Sequence, residues 1–463
     1  MIQRNAASFR DPSGYLYEGE NEVFRTIRAG YDEEWNYLAS RGLLTKATDL
    51  GLLAFRELPR EQWPKELLHE DADIARVLVS PKLPFISWPC EWSFSQLKEA
   101  ALLTLDLHLL ALEHGCVLKD ASAYNVQFLD SKPVFIDLLS FERWHEGQAW
   151  QAYGQFCSHF LAPLALMAYR DLRLGLLSRQ WLDGIPLDLA HKLLPVKNRL
   201  NPGLAMHLCL HAFMRQKHGD TSETAVKNTS CTLRIGQLRN IAESLRRLVT
   251  SIQLKKQSSE WDSYYTDTNY SPKARDAKLN AIRKLSGTGK LALDLGANLG
   301  DFSSLLAPHF DQVLATDYDA LTVERHYLAE RPANVLPLVL DIAQPTPAFG
   351  WQCKERASFK ERCHPDLIMA LALCHHLVFT FGIPFSGIAA GIAELLRKGG
   401  RAIVEFVPKE DSQVKRLLSA RDDIFTEYDR EHFIAAFLQS GLSLSDAIPL
   451  PESSREILLF EKN

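Results

Sequence analysis

Three aspartates at the ends of apolar runs are the residues whose type and spacing could do chemistry in this sequence. Asp294 lies in the run 291–295, which leads directly into a glycine-containing turn, and Asp317 and Asp341 end the next two apolar runs. The carboxyl ends of neighbouring parallel strands lie at one edge of a sheet, so we expect the three carboxylates and the turn to form one pocket.

The turn Gly296-Ala297-Asn298-Leu299-Gly300 indicates a ligand that approaches the backbone closely. A dinucleotide fingerprint has the form G-x-G-x-x-G, because its middle glycine lets the backbone contact a pyrophosphate. Here Asn298 replaces that glycine and the third glycine is absent, so a ligand without phosphate fits better. Asp294 would suit a cation near the turn, Asp317 the two hydroxyls of a ribose, and Asp341 an adenine amino group. We also expect Asp301 to cap a helix that begins at Phe302.

The order of these motifs resembles the cofactor motifs of class I S-adenosylmethionine-dependent methyltransferases, over residues 261–462. The resemblance implies an α/β fold, a Rossmann-like seven-stranded sheet with an inserted antiparallel strand, and S-adenosylmethionine as cofactor. It implies that the two glycines flank the methionine moiety, that Asp317 binds the ribose and that Asp341 lies near the adenine. The alternative is an ordinary α/β domain in which these aspartates cap helices and bind no cofactor. The predicted cofactor-binding residues are Asp294, Gly296, Asn298, Gly300, Asp317 and Asp341.

Methyl transfer needs an aligned acceptor and, for some acceptors, a base that removes a proton. The fourth apolar run ends in Cys374-His375-His376, so either imidazole could serve as the base, and similar methyltransferases often have a histidine there. In and after the fifth run, Glu405, Lys409 and Asp411 are second-choice contacts for the acceptor, and Glu405 is also a candidate catalytic residue. No N-P-P-Y or D-P-P-Y follows the fourth run, which favours oxygen or carbon over nitrogen as the acceptor atom.

Two Cys-His groups suggest a zinc site, which the spacing rules out. Cys363-His364 and Cys374-His375-His376 flank one predicted strand. At about 3.3 Å per residue they would lie roughly 25 Å apart, on opposite edges of the sheet. We therefore predict no metal site.

An aromatic stretch precedes the predicted methyltransferase region. It contains Trp261, Tyr264, Tyr265 and Tyr270. These rings could close over the cofactor, stack on a planar acceptor or join two domains.

The stretch from Asp120 to Asp137 carries a second resemblance. Asp120 and Asn125 have the D-x-x-x-x-N spacing, and Asp137 follows another apolar run. This resembles the catalytic loop and metal-binding strand of protein kinases and small-molecule phosphotransferases, in which the matching residues would be a base and two metal ligands. Leu118-Lys119 replaces His-Arg, Leu138-Leu139 replaces Phe-Gly, and no glycine-rich cradle is present. We predict a degenerate kinase-like region that positions an acceptor or a partner.

The sequence divides into three predicted parts. Residues 10–150 form the α+β kinase-like region, with strands on both sides of a turn at 18–21, a helix near 32–41 and a long helix that stops at Gly115. Residues 151–257 form a helical extension that contains an exposed linker at 219–230 and ends in a basic amphipathic helix. Residues 258–463 form the methyltransferase domain, in which strands and helices alternate.

Composition excludes several classes of protein. The 463 residues are 46% hydrophobic and 24% charged with a net charge of -5, which argues against general electrostatic binding to nucleic acid. No apolar run approaches the roughly 20 residues of a membrane helix. Eight cysteines without a C-x-x-C pair, and no signal peptide, suggest reduced thiols and a cytoplasmic location.

The sequence therefore predicts an enzyme that methylates a small or carbohydrate-like acceptor. Over its whole length the chain resembles large bacterial methyltransferases, some of them linked to nodulation-type glycolipids. Three alternatives stay open: an RNA methyltransferase that uses the basic helix, a non-catalytic binding or regulatory protein, and a kinase-like phosphotransferase. Neither the oligomeric state nor the acceptor follows from the sequence.

Overall fold

The chain divides into two units. The computed structural model describes residues 2–71, 73–209, 234–255, 270–419 and 422–463. The first unit comprises Met1–Lys256 and Phe349–Arg356, and the second comprises Gln257–Ala348 and Ala357–Asn463. The predicted linker at 219–230 and the aromatic residues Trp261, Tyr264 and Tyr265 lie outside the described residues.

The first unit begins with a five-stranded antiparallel sheet in the order β1-β2-β3-β5-β4. The predicted pair of strands around the turn 18–21 is confirmed as the β2–β3 hairpin. The strands are β1 Gln3–Arg4, β2 Leu16–Glu18, β3 Glu22–Arg28, β4 Arg56–Glu57 and β5 Ile74–Pro81. The helices up to the end of this sheet are α1 Ala29–Ser40, α2 Leu43–Leu50 and α3 Lys65–Glu70.

A long helix, α4 Phe94–Glu113, follows the sheet as the sequence predicts. It begins with a capping box, in which the hydroxyl of Ser93 accepts from the backbone N–H of Gln96 and the Gln96 side chain accepts from the N–H of Ser93. It ends before Gly115, whose φ of 73° few other residues adopt. Two short antiparallel pairs come next, β6 with β9 and β7 with β8. These strands are β6 Cys116–Leu118, β7 Val126–Leu129, β8 Lys132–Phe135 and β9 Phe141–Arg143.

The rest of the first unit is helical. Residues 349–356, which are distant in sequence, also belong to this unit, and there Glu355 accepts hydrogen bonds from the guanidinium of Arg10. The helices are α5 Tyr153–Phe156, α6 Ala162–Tyr169, α7 Leu187–Leu193, α8 Val196–Arg199, α9 Pro202–Leu204 and α10 Ile235–Ser251.

The second unit is built on a seven-stranded sheet in the order β12-β11-β10-β13-β14-β16-β15. The first five strands in this order are parallel, and β16 lies antiparallel between β14 and β15. This confirms the predicted α/β sheet with an inserted antiparallel strand. The strands are β10 Gly289–Leu295, β11 Phe310–Asp317, β12 Val335–Val339, β13 Leu367–Ala370, β14 Arg401–Phe406, β15 Leu442–Pro449 and β16 Glu456–Lys462.

Helices connect these strands, as the parallel pairing requires. They are α11 Pro272–Leu285, α12 Ser303–Leu306, α13 Ala320–Leu328, α14 Phe359–Arg362, α15 Cys374–Phe381, α16 Phe385–Leu395, α17 Ser412–Leu418 and α18 Arg430–Gln439. The predicted cap at Asp301 is wrong: α12 has no side-chain cap, and the Asp301 carboxylate pairs instead with the guanidinium of Arg275 at 3.0 Å. No helix among the described residues is long and apolar enough to cross a membrane.

Candidate functional site

The glycine turn after β10 has a left-handed backbone at three positions. The φ values are 72° at Gly296, 49° at Asn298 and 83° at Gly300. The backbone N–H groups of Gly296 and Ala297 both donate to the carbonyl of Thr316, at 2.9 Å each, so β11 fixes the start of the turn. A Cβ at Gly296 would meet only Leu373, at 3.5 Å, which leaves the backbone there accessible to a ligand.

Asp317 joins β11 to this turn. One of its carboxylate oxygens accepts from the backbone N–H of Asn298 at 3.0 Å, and the other from the N–H of Asp319 at 3.0 Å. Burial raises the pKa of Asp317 to about 6, although these hydrogen bonds act in the opposite direction. An ionised carboxylate accepts hydrogen bonds and donates none. A largely desolvated one is therefore suited to a vicinal diol, such as that of a ribose, whose two hydroxyls donate.

Asp341 lies at the same edge of the sheet, directly after β12. The N–H of Leu340 donates to the Asp317 carbonyl at 2.8 Å, so the two strand ends are adjacent. One carboxylate oxygen of Asp341 accepts from the N–H of Ala343 at 2.9 Å, and the side chain is half-buried. Its predicted place beside Asp317 is therefore confirmed, while its contact with an adenine stays a prediction.

Asp294 lies deeper than the other two carboxylates. It is only 2% exposed and accepts a hydrogen bond from the hydroxyl of Ser303 at 2.6 Å, which ties β10 to the start of α12. Burial raises its pKa to about 7. The geometry makes it a support of the turn, and its predicted proximity to a ligand cation stays a prediction.

The candidate histidines follow β13, in the first turn of α15. The rings of His375 and His376 are 4.2 Å apart. His375 is 2% exposed and its Nδ1 has no hydrogen-bond partner in the described part of the chain, whereas His376 is half-buried. Burial lowers the pKa of both imidazoles, so both are neutral near pH 7 and able to accept a proton.

The backbone just before these histidines is strained. Ala372 has φ of 49°, a left-handed conformation that costs a residue with a Cβ about 1–2 kcal/mol. Strain of this kind is concentrated at functional sites, where the surrounding structure holds it in place. The end of β13 is therefore a second unusual turn at the same sheet edge as the glycine turn.

The structure places Glu405 beneath this edge, in a buried cluster of charges. It is 0% exposed, pairs with the ammonium of Lys278 at 2.8 Å and accepts from the hydroxyl of Tyr270. The same hydroxyl accepts from Arg455 at 2.7 Å, and Arg455 pairs with Asp411 at 2.8 Å. Both oxygens of Glu405 are thus engaged, and its predicted catalytic contact stays a prediction.

Sequence reasoning missed the residue that lies under the glycine turn. A Cβ at Gly300 would lie 2.0 Å from Nε2 of His326, a residue of α13 that is 2% exposed. This nitrogen has no hydrogen-bond partner among the residues that the structure describes, and burial lowers the pKa of the imidazole to about 4. The sequence around His326 carries no signal for this contact, because Gly300 and His326 are far apart in sequence and meet only in the folded chain.

In the first unit, the three residues of the predicted kinase-like motif lie close to one another. Asp120 follows β6, Asn125 precedes β7 and Asp137 follows β8. Asp137 pairs with the guanidinium of Arg25 at 2.8 Å and accepts from the hydroxyl of Ser140. Burial, together with the nearby Asp137, raises the pKa of Asp120.

Two of the predicted acceptor contacts already have protein partners. Lys409 pairs with Asp423 at 2.7 Å, and Asp411 pairs with Arg455 at 2.8 Å. Among the residues that the structure describes, no group of three or more His, Cys, Asp or Glu side chains could hold a metal ion.

A comparison with known proteins gives the family. The chain is 33% identical to nodulation protein NoeA of Rhizobium meliloti (strain 1021) over 476 residues, which covers 99% of this chain and 96% of NoeA. The chain belongs to the NoeA family. No protein-family model matches this NoeA relative.

Solved methyltransferases also resemble this member of the NoeA family, at a low level. The N-methyltransferase NodS from Bradyrhizobium japonicum WM9, in complex with S-adenosylhomocysteine, is 16% identical with a TM-score of 0.33, over 44% of this chain and 93% of NodS. The magnesium protoporphyrin IX methyltransferase ChlM from Synechocystis PCC 6803, with bound S-adenosylmethionine, is 16% identical with a TM-score of 0.30, over 44% of this chain and 89% of ChlM.

These scores are too low to carry an argument, so the fold assignment depends on the strand order. Five parallel strands with an antiparallel strand inserted beside the last one, and a glycine turn after the central strand, define the class I methyltransferase fold. The second unit has this fold. The accessible backbone at Gly296 and the desolvated acceptor Asp317 are compatible with S-adenosylmethionine.

Proposed function

We propose that this protein transfers a methyl group from S-adenosylmethionine to an oxygen or carbon of a small or carbohydrate-like acceptor. The observation that carries the proposal is the hydrogen bond between the N–H of Asn298 and Asp317, because it joins the accessible turn and the diol-binding carboxylate into one site. When bound, the cofactor supplies a methyl group on a positively charged sulfur, which is already a good leaving group.

The chain's own residues then bind and orient the cofactor, and one of them accepts a proton from the acceptor. Asp317 binds the hydroxyls of the cofactor ribose, and Gly296 allows the rest of the cofactor to lie against the backbone. His376 is the better candidate for the base, since it is half-buried and neutral near pH 7, whereas His375 is almost fully buried. The sequence Leu371-Ala372-Leu373 after β13, in place of N-P-P-Y, favours an acceptor other than an amide or base nitrogen.

Two measurements test the proposal. Calorimetry with S-adenosylhomocysteine should give micromolar binding that Asp317→Ala weakens at least tenfold. Methyl-labelled cofactor, incubated with the protein and extracts fractionated by molecular size, should label a low-molecular-weight fraction. Absence of binding by the intact protein, or equal binding by Asp317→Ala, would refute the assignment of the site.

The surface charge of α10 does not favour the rival function of RNA methylation. Arg239 pairs with Glu113, Arg246 with Asp106 and Arg247 with Glu243, so acidic neighbours offset much of the basic face. An RNA acceptor would reveal itself by binding that weakens steeply with salt.

For the first unit we infer a kinase-like module that has lost its nucleotide site. The pairing of β6 with β9 and of β7 with β8, and the positions of Asp120, Asn125 and Asp137 between these strands, support the kinase-like part. The ion pair between Arg25 and Asp137 supports the loss, because a cation of the chain occupies the carboxylate that would bind a metal. We expect no measurable binding of ATP with Mg²⁺; a tight complex that requires Asp137 would show an active phosphotransferase.

A further inference from the structure

An apolar cavity of about 170 Å³ opens in the second unit beside the edge that carries the cofactor residues. Its inner wall includes Leu295 and Ala370, the last residues of β10 and β13, which are almost fully buried. Its outer wall includes Gly387 and Gly391 of α16, which are exposed. The cavity therefore connects the surface of α16 with the carboxyl ends of two central strands.

The lining of this cavity is apolar except for one ion pair. Lys360 and Glu394 both line it and pair with each other, so their charges cancel. The other lining side chains are mostly aliphatic, such as Ile388 and Ile392. A purine or a sugar ring needs hydrogen-bond partners that such a wall does not supply, whereas a hydrocarbon chain needs none.

Leu373 separates this cavity from the cofactor turn. Its side chain lines the cavity, and on its other side it is the nearest neighbour of a Cβ placed at Gly296, at 3.5 Å. None of the cofactor carboxylates Asp294, Asp317 and Asp341, all of which the structure describes, lines the cavity. The cavity is thus adjacent to the cofactor residues but has a different lining.

We propose that this cavity binds an aliphatic chain of the methyl acceptor. An engineered apolar cavity of about 150 Å³ binds benzene, so this one has room for a chain of about six carbon atoms. This inference depends on the proposed function, since it names the apolar part of a molecule whose oxygen or carbon is methylated beyond Leu373.

A substitution that fills the cavity without harming the fold tests this proposal. A Cβ at Gly391 meets no atom within 4 Å, and a glycine inside a helix is less favourable than a residue with a side chain, so Gly391→Leu should fold. The matched control is Ala390→Leu, which adds the same side chain to the preceding residue of the same helix. Ala390 is exposed and does not line the cavity.

The probe is n-hexyl β-D-glucoside, with methyl β-D-glucoside as the probe without a chain. By calorimetry, the natural protein and Ala390→Leu should bind the hexyl compound at least tenfold more tightly than the methyl compound. Gly391→Leu should lose this preference at least tenfold and keep its melting temperature and its affinity for S-adenosylhomocysteine.

Three results would overturn the inference: no preference for the hexyl compound in the natural protein, an undiminished preference in Gly391→Leu, or displacement of the hexyl compound by S-adenosylhomocysteine, which would assign the cavity to the cofactor. Each leaves the proposed function intact as long as S-adenosylhomocysteine still binds in an Asp317-dependent way. Loss of that binding with the preference for the hexyl compound intact would refute the proposed function, and with it the assignment of the bound chain to a methyl acceptor.

Discussion

Nε2 of His326 lies 2.0 Å from the point at which Gly300 would carry its Cβ, so the helix α13 excludes every side chain from the end of the glycine turn. Glycine is therefore required at position 300 for two reasons. Its φ of 83° disfavours any residue with a Cβ, and the imidazole of His326 occupies the place of that Cβ. The motif predicts only the first requirement.

The first prediction separates these two requirements. Gly300→Ala should weaken binding of S-adenosylhomocysteine more than tenfold in calorimetry, because the turn must move away from His326. His326→Ala in the same chain should restore part of the affinity, but not all of it, since a left-handed alanine still costs about 1–2 kcal/mol.

Gly399→Ala is the matched control for the backbone strain alone. Gly399 has φ of 74° and a Cβ there meets no atom within 4 Å. Its substitution should lower the melting temperature without changing the affinity for the ligand. If His326→Ala gives no rescue of Gly300→Ala, the contact between the two residues does not determine the shape of the turn.

The second prediction concerns pH and Asp317. Its pKa is raised to about 6, so the carboxylate is mostly ionised at pH 7.5 and mostly protonated at pH 5. The ionised form accepts hydrogen bonds from both ribose hydroxyls, and we therefore expect the affinity for S-adenosylhomocysteine to fall as the pH is lowered through about 6. Calorimetry between pH 5 and 8 measures this.

Asp317→Asn is the control for that titration. It should bind more weakly at pH 7.5 and show little change of affinity with pH, because the amide does not titrate. If the pH dependence persists unchanged in Asp317→Asn, another group causes it. The first candidate is the nearby carboxylate of Asp294, whose pKa is about 7.

The third prediction decides whether Glu405 is structural. Breaking a buried ion pair by removing one partner costs about 3–5 kcal/mol of unfolding free energy, because the other charge is left buried. We expect Lys278→Met and Glu405→Gln each to cost several kcal/mol in urea unfolding, and the double variant to cost clearly less than their sum.

The exposed pair of Lys284 and Asp446 in the same unit, at 2.8 Å, is the control. Lys284→Met should cost less than about 1 kcal/mol, since solvent screens this pair. If Glu405→Gln were as stable as the natural protein but lost methyl transfer, Glu405 would have the catalytic role that the sequence predicts.

The features that the sequence predicts well are those with a local cause. The β2–β3 hairpin, the helix α4 that stops before Gly115, and the strands that end near Asp317 and Asp341 follow from alternating or continuous apolar residues and from turn residues. Neighbouring parallel strands then bring the carboxylates to one edge, because the pairing of β10, β11 and β12 leaves no other arrangement.

The features that the sequence did not predict depend on residues from distant stretches. The partners of Glu405 come from the approach to α11, from α11 itself and from the start of β16, so no spacing within one motif indicates the cluster. Likewise Asp301 has the position of a helix cap, but Arg275 from another helix pairs with it. The assignment of residues 349–356 to the first unit has no local signal either.

The fourth prediction concerns the candidate base. Removing a general base lowers the rate of the chemical step by about 10²–10⁴-fold. His376→Ala should therefore reduce transfer of labelled methyl groups by such a factor while the affinity for S-adenosylhomocysteine stays within twofold. His364→Ala removes an exposed histidine of the same unit and should leave both quantities unchanged.

The pH profile distinguishes a base from a residue that only packs at this edge. Burial lowers the pKa of His376 below the usual 6.5, so the imidazole is neutral near pH 7 and gains a proton in more acidic solution than an ordinary histidine does. At cofactor concentrations that saturate the protein at every pH, the rate should be level near and above neutral pH and fall in more acidic solution, and the residual rate of His376→Ala should lack this acidic limb. A variant His375→Ala that loses the acidic limb while His376→Ala keeps it would transfer the role of the base to His375.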